Sequence, residues 1–431
     1  MGLALSLLQG GIFLAYIVFA VVKAVLPRSF KAPRVGHTTL AATVLAAAHL
    51  LGLPAVLDKL NRAHSYGQLE GLDLRGDCDD DFLHPCQASQ LIYRASAVLV
   101  LYFALMASAG GAINYIYAEL WPLKFLAVAA CFSGTLFLPE PALFGAFAEV
   151  ARVLSLLWML FQGFLVLDFA HDLHDAIGAK ADEHDAISGS SGSIFSSWWR
   201  ILYLTISLAC LAATAVGMTA LFSSFVGCAM GATFVGITLT TGLVTTAISL
   251  MENVGVGLLP PSILFAHSTF LCWYAMSSHP DPSCNPWAAD DMYSSWGKAV
   301  GVAISTSLLV ASVAWITWHG EKVLELLGVP DESVSLLSGA DKKAEEEQVQ
   351  QESRSSRVFY CIVMACACAF AAMALTSWTR TDGSPESQGG VATPLESVWL
   401  KIISQWLCLL LQVRVLWVTF SDGDHMSYRS F

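Results

Sequence analysis

Three polar side chains lie on one face of an otherwise apolar segment near the carboxyl end. Lys401, Gln405 and Gln412 are spaced i, i+4 and i+11, which places them on one stripe of an α-helix with Cys408 between them. In a bilayer such groups should face protein or a hydrated groove, because hydrocarbon offers them no partners. The stripe favours a hydrogen-bonded seam between helices, and the alternative is a track for lipid headgroups.

Three further polar residues lie within or beside apolar segments. Asp168 and His171 are three residues apart and therefore share a helix face, where they form either a latch or a headgroup contact. We favour an interfacial cap where that helix leaves the bilayer. Lys124 follows an interfacial Trp-Pro pair, so its cation either attracts a phosphate or carboxylate, or extends back to the interface. With the stripe, these are the candidate lipid-binding residues.

The sequence does not predict a catalytic or metal site. Metal-binding residue types do occur close together, but their loose spacing favours solvated loop residues: His171, His174, Asp175 and His184. There is no Gly-x-Ser-x-Gly, no His-Glu-x-x-His and no phosphate loop. Basic residues are few and dispersed, unlike those of a nucleic-acid-binding surface. We therefore expect neither an enzyme, nor a cofactor or metal, nor a nucleic-acid partner.

The elements that position these residues are apolar helices. The 431 residues are 55% hydrophobic and 13% charged, with a mean hydropathy of +0.60, whereas a soluble domain carries about 25% charge. This composition predicts an all-α polytopic membrane protein with about ten to eleven transmembrane helices. The apolar runs are residues 3–26, 38–57, 91–113, 123–138, 144–169, 201–222, 230–250, 263–276, 299–318, 358–378 and 398–420. Whether the first run spans the membrane stays open.

One helix should be much longer than a bilayer is thick. No proline interrupts residues 143–177, which at about 1.5 Å per residue would extend roughly 50 Å, against a hydrocarbon core of ~30 Å. Such a helix must tilt or protrude. An oblique helix can divide a bundle and leave grooves that face lipid, which points to lipid handling.

Loop charge and cysteine positions agree on one orientation. Arg28, Lys31 and Arg34 predict a cytosolic loop after the first run. Alternation then places 172–197 and 321–357 in the cytosol as loops. It also places four loop cysteines on the oxidising side, where disulfides can form: Cys78, Cys86, Cys228 and Cys284.

The acidic loop at 321–357 contains a short sorting-like pattern. Glu332, Leu336 and Leu337 have the spacing of an acidic dileucine signal, which sorting adaptors would bind in the cytosol. A chance match is an equal alternative. The oligomeric state is left open by the sequence.

Several stretches, in order from about Leu91 to Leu411, resemble the Serinc (serine incorporator) family of eukaryotic membrane proteins. The segments that carry the resemblance are Leu-Ile-Tyr-Arg at 91–94, Leu-Trp-Pro-Leu-Lys-Phe-Leu at 120–126, Phe-Leu-Pro-Glu at 137–140, Leu-Val-Leu-Asp-Phe-Ala-His at 165–171, Trp-Tyr-Ala-Met-Ser-Ser at 273–278, Cys-Asn-Pro at 284–286 and the run at 397–411. The family's cysteine-rich amino-terminal segment is replaced here by the run at 3–26.

The resemblance implies ten membrane helices in two bundles crossed by a long diagonal helix. We accordingly expect an amino-terminal segment and basic loop at 1–37, bundle portions at 38–142 and 181–320, the diagonal helix at 143–180, the acidic loop at 321–357 and carboxyl-terminal helices at 358–431. It also implies an endomembrane or plasma-membrane protein with a lipid-related role, since the family is associated with serine incorporation into phosphatidylserine and sphingolipids and with lipid scrambling. We expect a protein that redistributes or organises bilayer lipids, including phospholipids, by passive scrambling along a groove between bundles. A secondary transporter or serine carrier, and a scaffold for lipid-synthesis enzymes, are the alternatives.

Overall fold

A computed structural model describes most of the chain. The described residues are 32–65, 78, 83–110, 114–138, 142–188, 198–251, 256–279, 281–286, 291–326, 354–376, 378 and 395–422. Within these ranges the regular structure is helical and contains no strand. Among the described residues, seven helices are long and apolar enough to cross a membrane, or eight if one bent pair counts as a span. The expected all-α polytopic class is confirmed. The first apolar run, at 3–26, lies outside the described residues.

The helices are numbered here in chain order. They are α1 (Ala32–Leu51), α2 (Pro54–Ser65), α3 (Leu83–Leu105, followed by a π-helical turn at Met106–Gly110), α4 (Asn114–Ala118), α5 (Trp121–Thr135), α6 (Ala142–Ser188), α7 (Trp198–Phe225), α8 (Ala229–Ser249), α9 (Leu259–Met276), α10 (Asp291–Leu326), α11 (Arg354–Leu375) and α12 (Leu395–Asp422).

The span expected at 38–57 is broken, which corrects the sequence prediction. The chain bends by 69° between α1 and α2. Pro54 is the first residue of α2, where its missing N–H costs nothing, but it cannot continue the hydrogen bonding of α1. Leu53 precedes a proline and is therefore biased away from helical backbone. The apolar run continues through the break, which is why hydropathy alone did not reveal it.

The polar segment from residue 172 onward is helical as far as Ser188, and is not the loop that its charge suggested. Helix α6 has 47 residues, which corresponds to roughly 70 Å. Its last turns are held against the start of α7, since Arg200 Nη2 lies 2.6 Å from Asp185 Oδ2 and Lys180 Nζ lies 4.7 Å from the Trp199 ring. Charged residues favour solvent without opposing helix formation, and no proline interrupts this segment.

The chain forms two compact units, each assembled from segments distant in sequence. The first contains residues 1–158 and 305–392, and the second contains 159–304 and 393–431. In the first unit, α3 packs against α1, α5 and α11. Small residues of α11 such as Ala367, Ala369 and Ala372 are buried there, and they permit close helix approach. The domain boundaries expected from the sequence stay predictions.

The second unit is organised around α9, which packs against α7, α8 and α12. Its core joins large side chains from each of these helices: Phe225, Phe234, Phe265, Met276 and Ile402. Helix α12 therefore packs against α8 and α9 through a single face, which carries both apolar and polar side chains. This face carries the stripe that contains Lys401.

Candidate functional site

Lys401 lies inside the second unit, with no exposed surface. Its Nζ donates to Ser278 Oγ at 2.5 Å, approaches the Tyr274 carbonyl oxygen at 3.5 Å and stands 3.9 Å from the centre of the Tyr274 ring. Tyr274 lies in the last turn of α9, where backbone carbonyls carry partial negative charge, and Ser278 lies two residues beyond the helix. The ammonium thus neutralises a helix end and gains a cation–π contact.

Gln405, one turn further along α12, joins three helices. Its Nε2 donates to Thr238 Oγ1 on α8 at 2.6 Å and to the Ser268 carbonyl oxygen on α9 at 3.2 Å. Thr238 donates its own hydroxyl hydrogen to the Phe234 carbonyl oxygen at 2.7 Å, so its oxygen is available to accept from the amide. The Gln405 side chain is fully buried.

The stripe continues to Cys408 and Gln412, each 4% exposed. Gly163 of α6 faces Cys408 so closely that a Cβ at position 163 would lie 3.2 Å from the thiol sulfur. From Lys401 to Gln412 the stripe covers roughly 16 Å of helix. In this conformation it is a closed polar seam between helices, and headgroups could enter only if α12 moved away from its neighbours. We call these four residues and their partners the polar seam.

Asp168 and His171 are buried side chains of α6, at 0% and 7% exposure. His171 Nδ1 lies 2.9 Å from the Leu167 carbonyl oxygen, which assigns its hydrogen to Nδ1. Asp168 precedes the helix end at Ser188 by twenty residues. The two residues therefore lie within the protein, on a helix that continues beyond them, and the interfacial cap stays a prediction. No cluster of metal-ligating side chains occurs among the described residues, and His174 instead packs against the Tyr203 ring at 5.6 Å.

Lys124 belongs to the first unit and forms no part of the seam. It is 6% exposed, and its Nζ donates to the Tyr117 carbonyl oxygen at 2.6 Å and lies 4.1 Å from the Trp121 ring. The same carbonyl oxygen accepts a hydrogen bond from His37 Nε2 at 3.1 Å, while the Tyr102 hydroxyl donates to His37 Nδ1 at 2.8 Å. The cation is thus directed inward and does not extend along the membrane interface.

Arg34 was expected in a cytosolic loop, but it lies in the first turn of α1 and is 1% exposed. Its Nη2 donates to Ser356 Oγ at 2.6 Å, and its backbone carbonyl accepts from the Tyr360 hydroxyl at 2.8 Å. Its guanidinium also approaches the Ile316 carbonyl oxygen at 3.4 Å. Sequence reasoning used this arginine only for orientation, because nothing local indicates the helices that surround it.

The four loop cysteines form two disulfides, Cys78–Cys86 and Cys228–Cys284. The second joins the start of α8 to the segment after α9. Beside it, Asn285 Nδ2 donates to the Ser277 and His279 carbonyl oxygens at 3.0 and 3.2 Å. These bonds fix the segment that supplies Ser278 to Lys401. The sorting-signal residues Glu332, Leu336 and Leu337 lie outside the described residues.

A model of the serine incorporator (Serinc) family matches residues 13–419. The chain belongs to the Serinc family. Serinc relatives include serine incorporator 2 of Bos taurus, 24% identical over 325 residues that cover 69% of this chain and 68% of the relative. A probable serine incorporator of Monosiga brevicollis is 25% identical over 68% of each chain, and serine incorporator 3 of Mus musculus is 22% identical over 81% of each. The resemblance seen in the sequence is confirmed.

Three of the Serinc-like segments meet at the polar seam. The segment at 165–171 is part of α6 and contributes Leu167, which packs in one buried cluster with Cys408. The segment at 273–278 supplies Tyr274 and Ser278, and the run at 397–411 supplies Lys401, Gln405 and Cys408. Sequence reasoning identified the stripe but missed Tyr274, Ser278 and Tyr203. The Tyr203 hydroxyl accepts the Leu258 and Leu259 N–H groups at 2.9 and 3.0 Å and so caps α9.

Proposed function

We propose that this Serinc-family membrane protein redistributes bilayer lipids by passive scrambling. One observation carries the proposal: Serinc-like segments from distant parts of the chain meet at a buried polar seam that contains a lysine. Ionisable groups in membrane-embedded helices are costly to bury and usually mark a pathway or a binding site. A membrane of the eukaryotic endomembrane system, or the plasma membrane, is the proposed location, and phospholipids are the proposed partners.

The proposed mechanism is the transient opening of the seam between α12 and the helices α8 and α9. When Lys401 leaves Ser278, its ammonium can bind a headgroup phosphate through a charge-assisted bond. Gln405 and Gln412 would then form hydrogen bonds with the polar headgroup as it passes, while the lipid tails remain in hydrocarbon. The stripe covers roughly 16 Å, about half of the ~30 Å core, so it removes a large part of the desolvation cost. The movement follows the lipid gradient, and no catalytic step is proposed.

A dithionite assay tests this function. The full chain is reconstituted in liposomes that contain headgroup-labelled fluorescent phosphatidylcholine, and dithionite then reduces the accessible label. We expect clearly more than half of the signal to disappear from intact vesicles, because scrambling carries inner-leaflet lipid outward. Protein-free liposomes provide the control. If folded protein leaves the inner-leaflet signal intact, constitutive scrambling is wrong.

The relatives are named serine incorporators, and this name favours a second candidate, a serine carrier. We propose that such a carrier would deliver serine for phosphatidylserine and sphingolipid synthesis. It predicts uptake of radiolabelled serine by the same liposomes, which scrambling does not require. A scaffold for lipid-synthesis enzymes is distinguished by deleting residues 327–353, which lie between α10 and α11. Loss of function only in cells would support the scaffold, and unchanged scrambling in liposomes would support the seam. The same deletion removes Glu332, Leu336 and Leu337 and so tests binding of sorting adaptors.

A further inference from the structure

The first unit contains an apolar groove between α1, α10 and α11, with a volume of about 480 Å³. Its wall surface is almost wholly apolar, with Leu45 from α1, Val313 from α10 and Met364 from α11. On α1 it extends from Val35 to His49, which corresponds to roughly 21 Å along the helix axis. Val310 and Trp318 on its rim are 62% and 47% exposed, so the groove opens to the outside of the protein.

Small side chains create this groove. Ala42 and Ala46 of α1 and Ala367 and Ala371 of α11 line it, and none of them reaches across the gap between the helices. A volume of this size is typical of ligand pockets, and the lining offers almost no polar partner. In a bilayer the matching occupant is a hydrocarbon chain. A length of roughly 21 Å exceeds one leaflet's share of the ~30 Å core and accommodates one extended acyl chain.

One end of the groove is basic. Lys322 follows Trp318 by four residues on α10, Arg34 directly precedes Val35, and Arg357 precedes Met364 by seven residues on α11. The hydrogen bond from Arg34 to Ser356 shows that these helix ends converge. Arg34 and Arg357 are 1% and 6% exposed and supply a fixed positive field, whereas Lys322 is partly exposed.

The charge at this end selects among apolar ligands. Glu321 and Glu325 neighbour Lys322 in sequence, but they are outnumbered at these helix ends by four basic residues: Arg34, Lys322, Arg354 and Arg357. The same end is predicted to be cytosolic, and the cytosolic leaflet holds most anionic lipid. A phosphate or carboxylate headgroup at this end would therefore lie in a favourable field.

We propose that the groove binds one acyl chain of an anionic phospholipid, with its headgroup at the Lys322 end. This site lies wholly in the first unit and goes beyond the scrambling proposed for the polar seam. A bound anionic lipid can occupy it whether or not lipids cross the bilayer. The chemistry that defines the ligand is an extended hydrocarbon tail joined to a net negative headgroup.

Photolabelling tests the site. The full chain is reconstituted in phosphatidylcholine liposomes with a trace of phosphatidylserine or phosphatidylcholine that carries a diazirine in one acyl chain. After irradiation, labelled peptides are mapped by mass spectrometry. We expect labelling to concentrate on α1, α10 and α11, and phosphatidylserine to exceed phosphatidylcholine about fivefold, the effect of one basic residue near a membrane surface.

Two variants separate the tail from the headgroup. Ala42→Trp should fill the groove and abolish the concentrated labelling by both lipids, whereas Ala130→Trp, on exposed surface of α5, should leave it unchanged. Lys322→Gln should lower only the preference for phosphatidylserine. Lys59→Gln, an exposed lysine on α2, is the matched control.

Three results would overturn the inference: labelling spread evenly over all helices, equal labelling by the two lipids, or an unlabelled groove covered by residues 3–26 or by a second copy of the chain. Scrambling is measured in the same liposomes. Scrambling without groove labelling refutes only this site, and groove labelling without scrambling refutes only the proposed function.

Discussion

The ammonium of Lys401 provides the sharpest test of the polar seam, through the variant Lys401→Met. In the closed seam, Nζ makes a 2.5 Å bond to Ser278 and stands 3.9 Å from the Tyr274 ring. A hydrogen bond to a charged group contributes about 1.5–3 kcal/mol and a desolvated cation–π contact about 2 kcal/mol. Burying an ammonium costs several kcal/mol, which offsets both contributions.

The expected change in the free energy of unfolding is therefore within about 1 kcal/mol, because methionine has similar length and adapts its shape. The apparent melting temperature in detergent, followed by tryptophan fluorescence, should shift by no more than about 4 °C. Scrambling should fall far more. A lost charge-assisted contact to the headgroup, about 1.5–3 kcal/mol, lowers the rate roughly 10- to 150-fold.

The control is Arg414→Gln, an exposed cation on the same helix but off the stripe. It should leave both the melting temperature and the scrambling rate close to those of the unmodified chain. Equal scrambling by Lys401→Met and Arg414→Gln would refute the headgroup track. A melting decrease well beyond 4 °C would show that Lys401 is chiefly structural, and the track would then have no support from this residue.

Three further predictions concern the elements that hold the seam in place. Gly163→Leu should destabilise the second unit by about 1–3 kcal/mol, because a Cβ at that position would already lie 3.2 Å from Cys408. Gly178→Leu is the control in the same melting assay and should be neutral, because a Cβ there meets open space on the same helix. Replacing Cys228 and Cys284 with serine should lower the free energy of unfolding by about 4 kcal/mol, because that disulfide closes a loop of 56 residues. Replacing Cys78 and Cys86 should lower it by about 2.5 kcal/mol, because that loop has 8 residues. Melting with and without reductant checks this order, and the reverse order would contradict it. Tyr203→Phe removes the acceptor for two N–H groups at the start of α9 and should destabilise the second unit by about 1 kcal/mol. The loss should appear as faster amide hydrogen exchange at residues 258 and 259. Unchanged exchange there would count against the cap.

Periodicity predicted the stripe on α12, because the spacing of Lys401, Gln405 and Gln412 is a local property of a helix. It could not predict Tyr274, Ser278 and Thr238 as partners, because helix neighbours are decided by packing between segments more than a hundred residues apart. The cysteine pairing was open for a similar reason, since four cysteines allow three connectivities. The sequence predicted which residues are polar inside the membrane, and packing decided what they touch.

Two fold errors came from treating hydropathy as a guide to helix ends. The run at 38–57 is apolar throughout, yet α1 ends at Leu51 and Pro54 begins a separate helix, because a proline cannot continue the hydrogen bonding of a preceding helix, whatever the polarity around it. The segment after Asp172 is polar, yet α6 continues to Ser188, because the segment contains four alanines and no proline, and charged side chains can extend into solvent from a helix. Backbone chemistry, rather than polarity, set both boundaries.

The two lipid proposals depend on cations in opposite situations, so they can fail independently. Lys401 is fully buried against a helix end and becomes available only if the seam opens, which makes it suited to a transient contact during passage. Lys322 is partly exposed beside an open groove, which makes it suited to a resident lipid. Lys401→Met should therefore reduce scrambling without changing the phosphatidylserine preference of the groove, and Lys322→Gln should do the reverse. If each variant altered both readouts equally, the separation between a transit path and a binding site would be wrong.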